Sequence, residues 1–337
     1  MVRHNRLGQC ALGVDNIGRV SRRTWLAGAL LGLPAAYGSI RPAFSQQVKG
    51  GESKGDSDTA EIEQVQAVAK KAGLERFTYS RTPHFLGIGD ANARFRTDAL
   101  NICESLAPVF LQHFNAKEFK LAMPKNRLTV ITLKGAESYK AFIGEDPGAI
   151  RGGHYDLDTN RLVMFDFRPE GEGPGVVNDP TRVNRMTLVH EATHLLCFNT
   201  GLLSRQTNVP DWVSEGLATY VEMWRNKQTK IGEPNIPWLS HLNNVKAGGE
   251  NIPIAELVAS DKSFDDDKTA QTAYGESWLL VHYLMKSHEQ TLKFRAYLAG
   301  LASEEAAAKR VEFAEKHLGS LEKLSRDLDR YLKRVGR

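Results

Sequence analysis

The sequence has 337 residues, of which 41% are hydrophobic and 25% are charged. This composition is typical of a globular protein and excludes collagen-like, coiled-coil and wholly disordered chains. The net charge is +4, but residues 1–45 contain six arginines and a single acidic residue, so this segment carries +5 and the remainder carries −1. A basic nucleic-acid surface is therefore not expected on the body of the protein, and no nucleic-acid partner is predicted.

Residues 1–45 have the features of an export signal peptide. A short apolar run at 25–34 follows the basic residues, and small residues up to Ser45 provide a cleavage site. The tetrad 21–24, with its two arginines, resembles a twin-arginine signal; a Sec-type signal or an uncleaved leader is the alternative. The apolar run is too short to span a bilayer stably, so no transmembrane segment is expected after its removal. We expect an exported protein, periplasmic or extracellular.

The elements that follow are predicted from hydrophobic spacing and turn residues. Residues 46–60 are polar and glycine-rich and indicate a flexible linker. The pattern then predicts, in chain order, a helix at 60–72, an extended segment at 77–88, a helix at 95–114, a strand at 128–133, a short helix at 137–143 and a hairpin formed by 154–155 and 162–167.

The second half of the chain is predicted to be mainly helical. Asp179 and Pro180 indicate the start of a helix that Gly201 ends. Further helices are predicted at about 211–225, 270–287 and 304–335. The predicted fold class is therefore α+β, with an α+β lobe at 61–200 and a mainly helical lobe at 201–337.

Two cysteines, Cys103 and Cys197, remain after the signal segment. An oxidising compartment would permit them to pair, whereas buried free cysteine is common in helices. The sequence leaves both possibilities open.

The sharpest motif is the HExxH sequence from His190 to His194, inside a predicted helix. Residues four apart lie on one face of a helix, so the two imidazoles can share one metal ion. Glu191 lies about 100° further round the helix, which places it as a general base rather than as a ligand. Apolar residues flank the motif, and burying its polar groups would cost about several kcal/mol each unless they bind a partner such as zinc.

A catalytic zinc site has three protein ligands and one open position, so a third ligand must lie downstream. The metzincin pattern would place glycine at 197 and histidine at 200, where this chain has Cys197 and Thr200. That class is excluded.

Two later segments carry a resemblance to a known family. They are Trp212-x-x-Glu215-Gly-Leu-Ala and Tyr274-Gly-Glu-Ser-Trp278-Leu-Leu-Val-His282-Tyr-Leu. With the HExxH sequence they resemble the gluzincin zinc metallopeptidases, and more narrowly exported bacterial proteins of peptidase-MA type in the domain of unknown function 1570 group. The resemblance covers about residues 75–300.

This resemblance implies a thermolysin-like zincin fold, with one Zn²⁺ per chain and Glu215 as the third ligand. Many relatives have an acidic residue four positions after that glutamate, to hydrogen-bond a ligand histidine, but this chain has Thr219 there. The sequence leaves open whether Glu222, further along the helix, reaches the histidine instead.

The expected activity is hydrolysis of amide bonds in a peptide or protein substrate, by a zinc-activated water with Glu191 as general base. Tyr274 or His282 is a candidate oxyanion donor, although an aromatic stripe at helical spacing also suits a core. His154 and Tyr155 are candidates for substrate binding because an edge strand can pair with an extended peptide. The alternative is a non-catalytic exported binding protein on a zinc-peptidase scaffold.

Overall fold

The computed structural model describes residues 54–145, 152–166 and 184–335. Within these ranges the chain forms one mixed five-stranded sheet and thirteen helices, which confirms the predicted α+β class. The predicted signal segment 1–45, the first part of the predicted linker and the predicted helix start at Asp179 and Pro180 lie outside the described residues. No helix in the described part of the chain has both the length and the apolar character needed to cross a bilayer.

The sheet places a short strand at the edge nearest the HExxH helix. Its strands are β1 (Thr78–Arg81), β2 (Phe85–Gly89), β3 (Leu128–Leu133), β4 (Gly153–Asp156) and β5 (Arg161–Phe165). Their order is β1-β2-β3-β5-β4, with parallel pairing in the middle and antiparallel pairing at both sides. The predicted strand at 128–133 and the predicted hairpin are confirmed. The predicted extended segment at 77–88 is two antiparallel strands.

Four helices surround the sheet: α1 (Lys54–Lys71), α2 (Ala93–Asn115), α3 (Ala136–Ile143) and α4 (Arg185–Asn199). Helix α1 begins inside the segment 46–60 that was predicted as a linker. Its buried Asp58 accepts hydrogen bonds from Arg81 Nε and Arg127, each at 2.8 Å, and such long-range ion pairs are invisible in local composition. Helix α4 begins at Arg185, where Asn184 caps it by accepting from Thr187 N.

The rest of the chain is helical. It forms α5 (Asp211–Val221), α6 (Ile236–Gly248), α7 (Ile254–Ala259), α8 (Lys262–Asp265), α9 (Ala270–Leu284), α10 (His288–Gly300), α11 (Glu304–Ala308), α12 (Arg310–Leu318) and α13 (Leu321–Val335). The predicted helices at 211–225 and 270–287 are confirmed as α5 and α9. The single helix predicted at 304–335 is wrong, because the backbone leaves the helical conformation at Lys309 and at Gly319, whose φ is +90°.

The apolar core lies on both faces of the sheet. A smaller cluster packs α1 and α3 against one face, and a larger cluster joins the other face to α2, α4, α5, α9 and the last helices. The larger cluster continues across residue 200, where the sequence suggested a boundary between two lobes. Cys103 and Cys197 both lie in this cluster as buried free thiols.

Helices α5 and α9 cross at very short range because of one glycine. A Cβ atom on Gly216 would lie 2.6 Å from Val281 Cγ2 and 2.8 Å from Ser277 O, so a larger residue would force the helices apart. Gly216 directly follows Glu215 on α5. The close crossing therefore sets the position of the glutamate relative to α9.

Candidate metal centre

Three side chains from two helices converge on one point. Helix α4 supplies His190 and His194, one turn apart, and α5 supplies Glu215. The two Nε2 atoms are 3.3 Å apart, and Glu215 Oε2 lies 3.2 Å from that of His190 and 3.4 Å from that of His194. Ligands at about 2.0 to 2.1 Å in a tetrahedron are separated by about 3.3 Å, so the three atoms form one face of such a site.

This group could hold a metal ion. Two imidazole nitrogens and one carboxylate oxygen are donors that suit zinc and its neighbours in the first transition row better than calcium or magnesium, which prefer oxygen alone. Both histidines are buried and the glutamate is partly buried. The residues present therefore fit a catalytic zinc site, which needs three protein ligands.

The partner of His190 is Glu222, a contact the sequence left open. Glu222 Oε2 accepts from His190 Nδ1 at 2.8 Å, which fixes the tautomer and leaves the Nε2 lone pair for a metal. Thr219 lies at the position where the resemblance predicts an acidic residue. Its hydroxyl donates to Glu215 O at 2.7 Å and not to a histidine. Seven residues are about two helical turns, so Glu215 and Glu222 lie on the same side of α5.

Glu222 is completely buried, and its second oxygen is bonded by two residues that sequence reasoning missed. Asn235 Nδ2 and Trp238 Nε1 each donate to Glu222 Oε1 at 2.6 Å. Trp238 lies in the first turn of α6, and Asn235 caps that helix. Asn235 and Pro237 are a local signal for the start of α6, which the sequence analysis did not use. The contact of these residues with Glu222 is long-range and has no local signature.

Glu191 lies on the side of α4 that faces the edge strand. Tyr155 N donates to Glu191 Oε2 at 2.8 Å, so the backbone of β4 at this residue points away from β5 and toward α4. Burial raises the pKa of Glu191 above its ordinary value, and the negative charge of Glu215 acts in the same direction. A raised pKa makes the carboxylate a better proton acceptor.

His190 is surrounded by acceptors. Burial lowers its affinity for a proton, but its hydrogen bonds with Glu215 and Glu222 raise the pKa of His190 well above the ordinary value. A proton and a metal ion compete for the same nitrogen. Acid should therefore release a bound metal.

Tyr155 and His154, the predicted substrate-binding pair, project to opposite faces of β4. The Tyr155 ring stacks on His194, with centroids 6.3 Å apart, and on Phe198. His154 points to the other face, where its Nδ1 and the Tyr139 hydroxyl are hydrogen-bonded at 2.8 Å, and burial lowers the pKa of His154 to about 4. Strand alternation thus brings only the Tyr155 side chain to the metal centre.

Tyr274 and His282, the candidate oxyanion donors, are also separated. The Tyr274 ring lies 6.3 Å from the His190 ring. His282 instead donates from Nε2 to Gly232 O at 3.1 Å and accepts at Nδ1 from the Tyr331 hydroxyl at 2.7 Å. Tyr274 and His282 are eight residues apart, which is about 12 Å along a helix, so they have different surroundings although they lie on one face of α9.

The comparison with protein families agrees with the narrower part of the resemblance seen in the sequence, the domain of unknown function 1570 group. Residues 184–306 match a family model described as a protein of unknown function (DUF1570). The matched segment contains the three converging ligands, Glu191 and Glu222. No curated protein matches the chain.

Proposed function

We propose that the protein is an exported zinc metallopeptidase of the gluzincin type, with a thermolysin-like active-site region. One observation carries this proposal: His190, His194 and Glu215 direct three donor atoms to one point, and Glu191 is held beside them by the edge strand. When bound, a zinc ion would supply Lewis acidity, lowering the pKa of a water molecule and polarising a carbonyl.

The chain's own part in the reaction centres on Glu191. Tyr155 N holds Oε2, which leaves Oε1 to take a proton from the attacking water and to pass it to the leaving amine. Glu222 keeps His190 in the tautomer that a metal ligand needs. With Glu191 as the base and the metal ligands held in place, the expected reaction is hydrolysis of an amide bond.

An extended peptide is the substrate that best suits the surroundings. Among the described residues β4 is the last strand of its sheet, so its outer backbone groups, apart from the Tyr155 N–H that donates to Glu191, can pair with a further strand. The His154 side chain faces away from the centre and is not part of this proposal. Tyr274 is the residue that we propose as the oxyanion donor, because its ring lies beside His190.

The test is cleavage of a diverse peptide library by the zinc-loaded mature protein, followed by mass spectrometry. We expect cleavage that stops when a chelator removes the metal and returns when zinc is added. Full zinc binding without cleavage of any peptide would support the alternative, a non-catalytic binding protein on the same scaffold.

A further inference from the structure

We propose that Trp238 is a positioning residue of the metal centre: its indole N–H fixes the Glu222 carboxylate and, through it, the orientation of His190. This inference rests on the proposed metal-dependent function. It concerns a residue outside the motifs, on a helix that supplies no ligand.

The carboxylate of Glu222 is held from both ends. Trp238 Nε1 and Asn235 Nδ2 donate to Oε1, each at 2.6 Å, while His190 Nδ1 donates to Oε2 at 2.8 Å. All four side chains are buried, with Glu222 at 0% and Trp238 at 1% exposure. With three donors on two oxygens, the carboxylate has a single favourable orientation, and the imidazole plane of His190 follows it.

A second tryptophan shows that packing alone does not explain this contact. Trp278, on α9, is 0% exposed, yet its Nε1 has no hydrogen-bond partner among the described residues. The fold therefore tolerates a buried indole N–H without a partner. At Trp238 the N–H instead points at a fully buried carboxylate, that of Glu222, which contacts His190.

The ring of Trp238 contacts the other side of the centre as well. It stacks on Tyr274 with centroids 6.1 Å apart and an interplanar angle of 15°, and Tyr274 in turn lies beside His190. Gly275 permits the close approach of α6 to α9, since a Cβ there would lie 3.1 Å from Leu242 Cδ2 and 3.2 Å from Leu242 Cγ. One residue of α6 thus supports both the histidine's partner and the neighbouring tyrosine.

Trp238→Phe removes the N–H and keeps an aromatic face for Tyr274. Loss of a group that orients a ligand typically costs about 10- to 100-fold in metal affinity, and because Asn235 remains, we expect about 10-fold weaker zinc binding. Chelator competition on the full chain measures this, and the visible spectrum of the cobalt(II)-loaded protein reports the ligand geometry. Trp278→Phe is the matched control and should change zinc affinity less than about twofold.

A double-mutant cycle separates positioning from a general loss of structure. If Trp238 acts through Glu222, then Trp238→Phe should have less than about a twofold effect on zinc affinity when Glu222→Gln is already present. Should Trp238→Phe fail to fold, benzothienylalanine at 238 keeps the bicyclic shape and replaces the N–H by sulfur.

The inference would be overturned if either variant at 238 had the zinc affinity and the cobalt spectrum of the unmodified chain. This result would not affect the proposed function. Equal effects of Trp238→Phe with and without Glu222→Gln would also overturn it. If the unmodified chain binds neither metal, the inference and the proposed function both fail.

Discussion

Three glutamates surround the two histidines, and each has different hydrogen-bond partners. Glu215 Oε2 lies within 3.4 Å of both Nε2 atoms, Glu222 bonds His190 Nδ1, and Glu191 is tied to a strand backbone. Only Glu215 faces the point where the imidazoles meet. In the proposed function, the same residue type serves as ligand, orienting group and base.

The first prediction concerns Glu215 itself. Glu215→Ala removes the only carboxylate of the ligand group, and two histidines alone bind zinc weakly. Zinc content by elemental analysis should fall from about one ion per chain to well below that value. The control is Glu256→Ala, at an exposed position on α7, which should retain full zinc content. An unchanged zinc content in Glu215→Ala would show that Glu215 is not the third ligand.

The residues of the centre differ in how far sequence could predict them. His190 and His194 follow from helical spacing alone, because their relation is local. Glu222 depends on the length of α5, and Trp238 on the path of the chain between α5 and α6, so neither has a local signature. His282 shares a stripe with Tyr274, yet its contacts are to Gly232 and Tyr331.

Among the helices, the junction of α6, α9 and α13 contains a buried acid outside the metal centre. Glu276 on α9 is 1% exposed and lies 3.6 Å from Lys246 Nζ on α6, which also bonds Asp329 on α13 at 2.8 Å. Burial raises the pKa of Glu276 to about 7, and the charge of Asp329 adds to this, although Lys246 opposes it. The protonated form is therefore favoured by folding.

This junction predicts a pH-dependent stability. A carboxyl whose pKa rises on folding contributes stability that is fully present below its unfolded pKa of 4.5 and is lost as the pH rises toward about 7. Glu276→Gln stays neutral and keeps the shape. We measure the free energy of unfolding in urea for the variant and for the unmodified chain and take the difference. This difference should shift in favour of the variant by roughly 2 to 3 kcal/mol between about pH 5 and about pH 8. A difference that stays constant over this range would show that Glu276 does not titrate as described.

The elements that sequence predicted well are those whose signal is local and strong. Strand β3 and helices α2, α5 and α9 are long or largely buried, so their apolar patterns are clear. Helices α6, α7, α8 and α10 were missed. The long helix predicted at 304–335 is wrong because the chain leaves the helical conformation at Lys309 and Gly319. Gly319 is itself a helix-end signal that the prediction did not use.

At the scale of the whole molecule, the candidate metal centre lies within one continuous core of the described residues. The larger apolar cluster contains buried residues of α2, α4, α5, α9 and the last helices, so the ligand helices are supported from both halves of the chain. The boundary suggested at residue 200 falls between α4 and α5, the two helices that carry His190, His194 and Glu215. The two predicted lobes thus share the centre between them.

Export is a prediction about the whole molecule that rests on its first 45 residues. The basic tetrad and the short apolar run indicate removal near Ser45 and transport that depends on Arg22 and Arg23. Intact mass spectrometry of the exported protein should show a chain that begins near Gln46. Changing both arginines to lysine should block export by the twin-arginine route. An exported protein that begins at Met1 would contradict the prediction, and so would export of the variant with both lysines.

Glu191→Gln is the most direct test of hydrolysis at the candidate metal centre. The substitution keeps the size of the side chain but removes the base, and Glu191 is not among the ligand group. The variant should therefore fold and bind zinc at the stoichiometry of the unmodified chain.

The deciding measurement is the rate of peptide cleavage by the zinc-loaded Glu191→Gln variant beside the unmodified chain at equal zinc content. General-base catalysis typically contributes about 10²- to 10⁴-fold, so we predict a loss of at least about 100-fold, or roughly 2.7 kcal/mol of transition-state stabilisation. Cleavage by the variant at the rate of the unmodified chain would contradict the assignment of Glu191 as the base and, with it, the proposed mechanism.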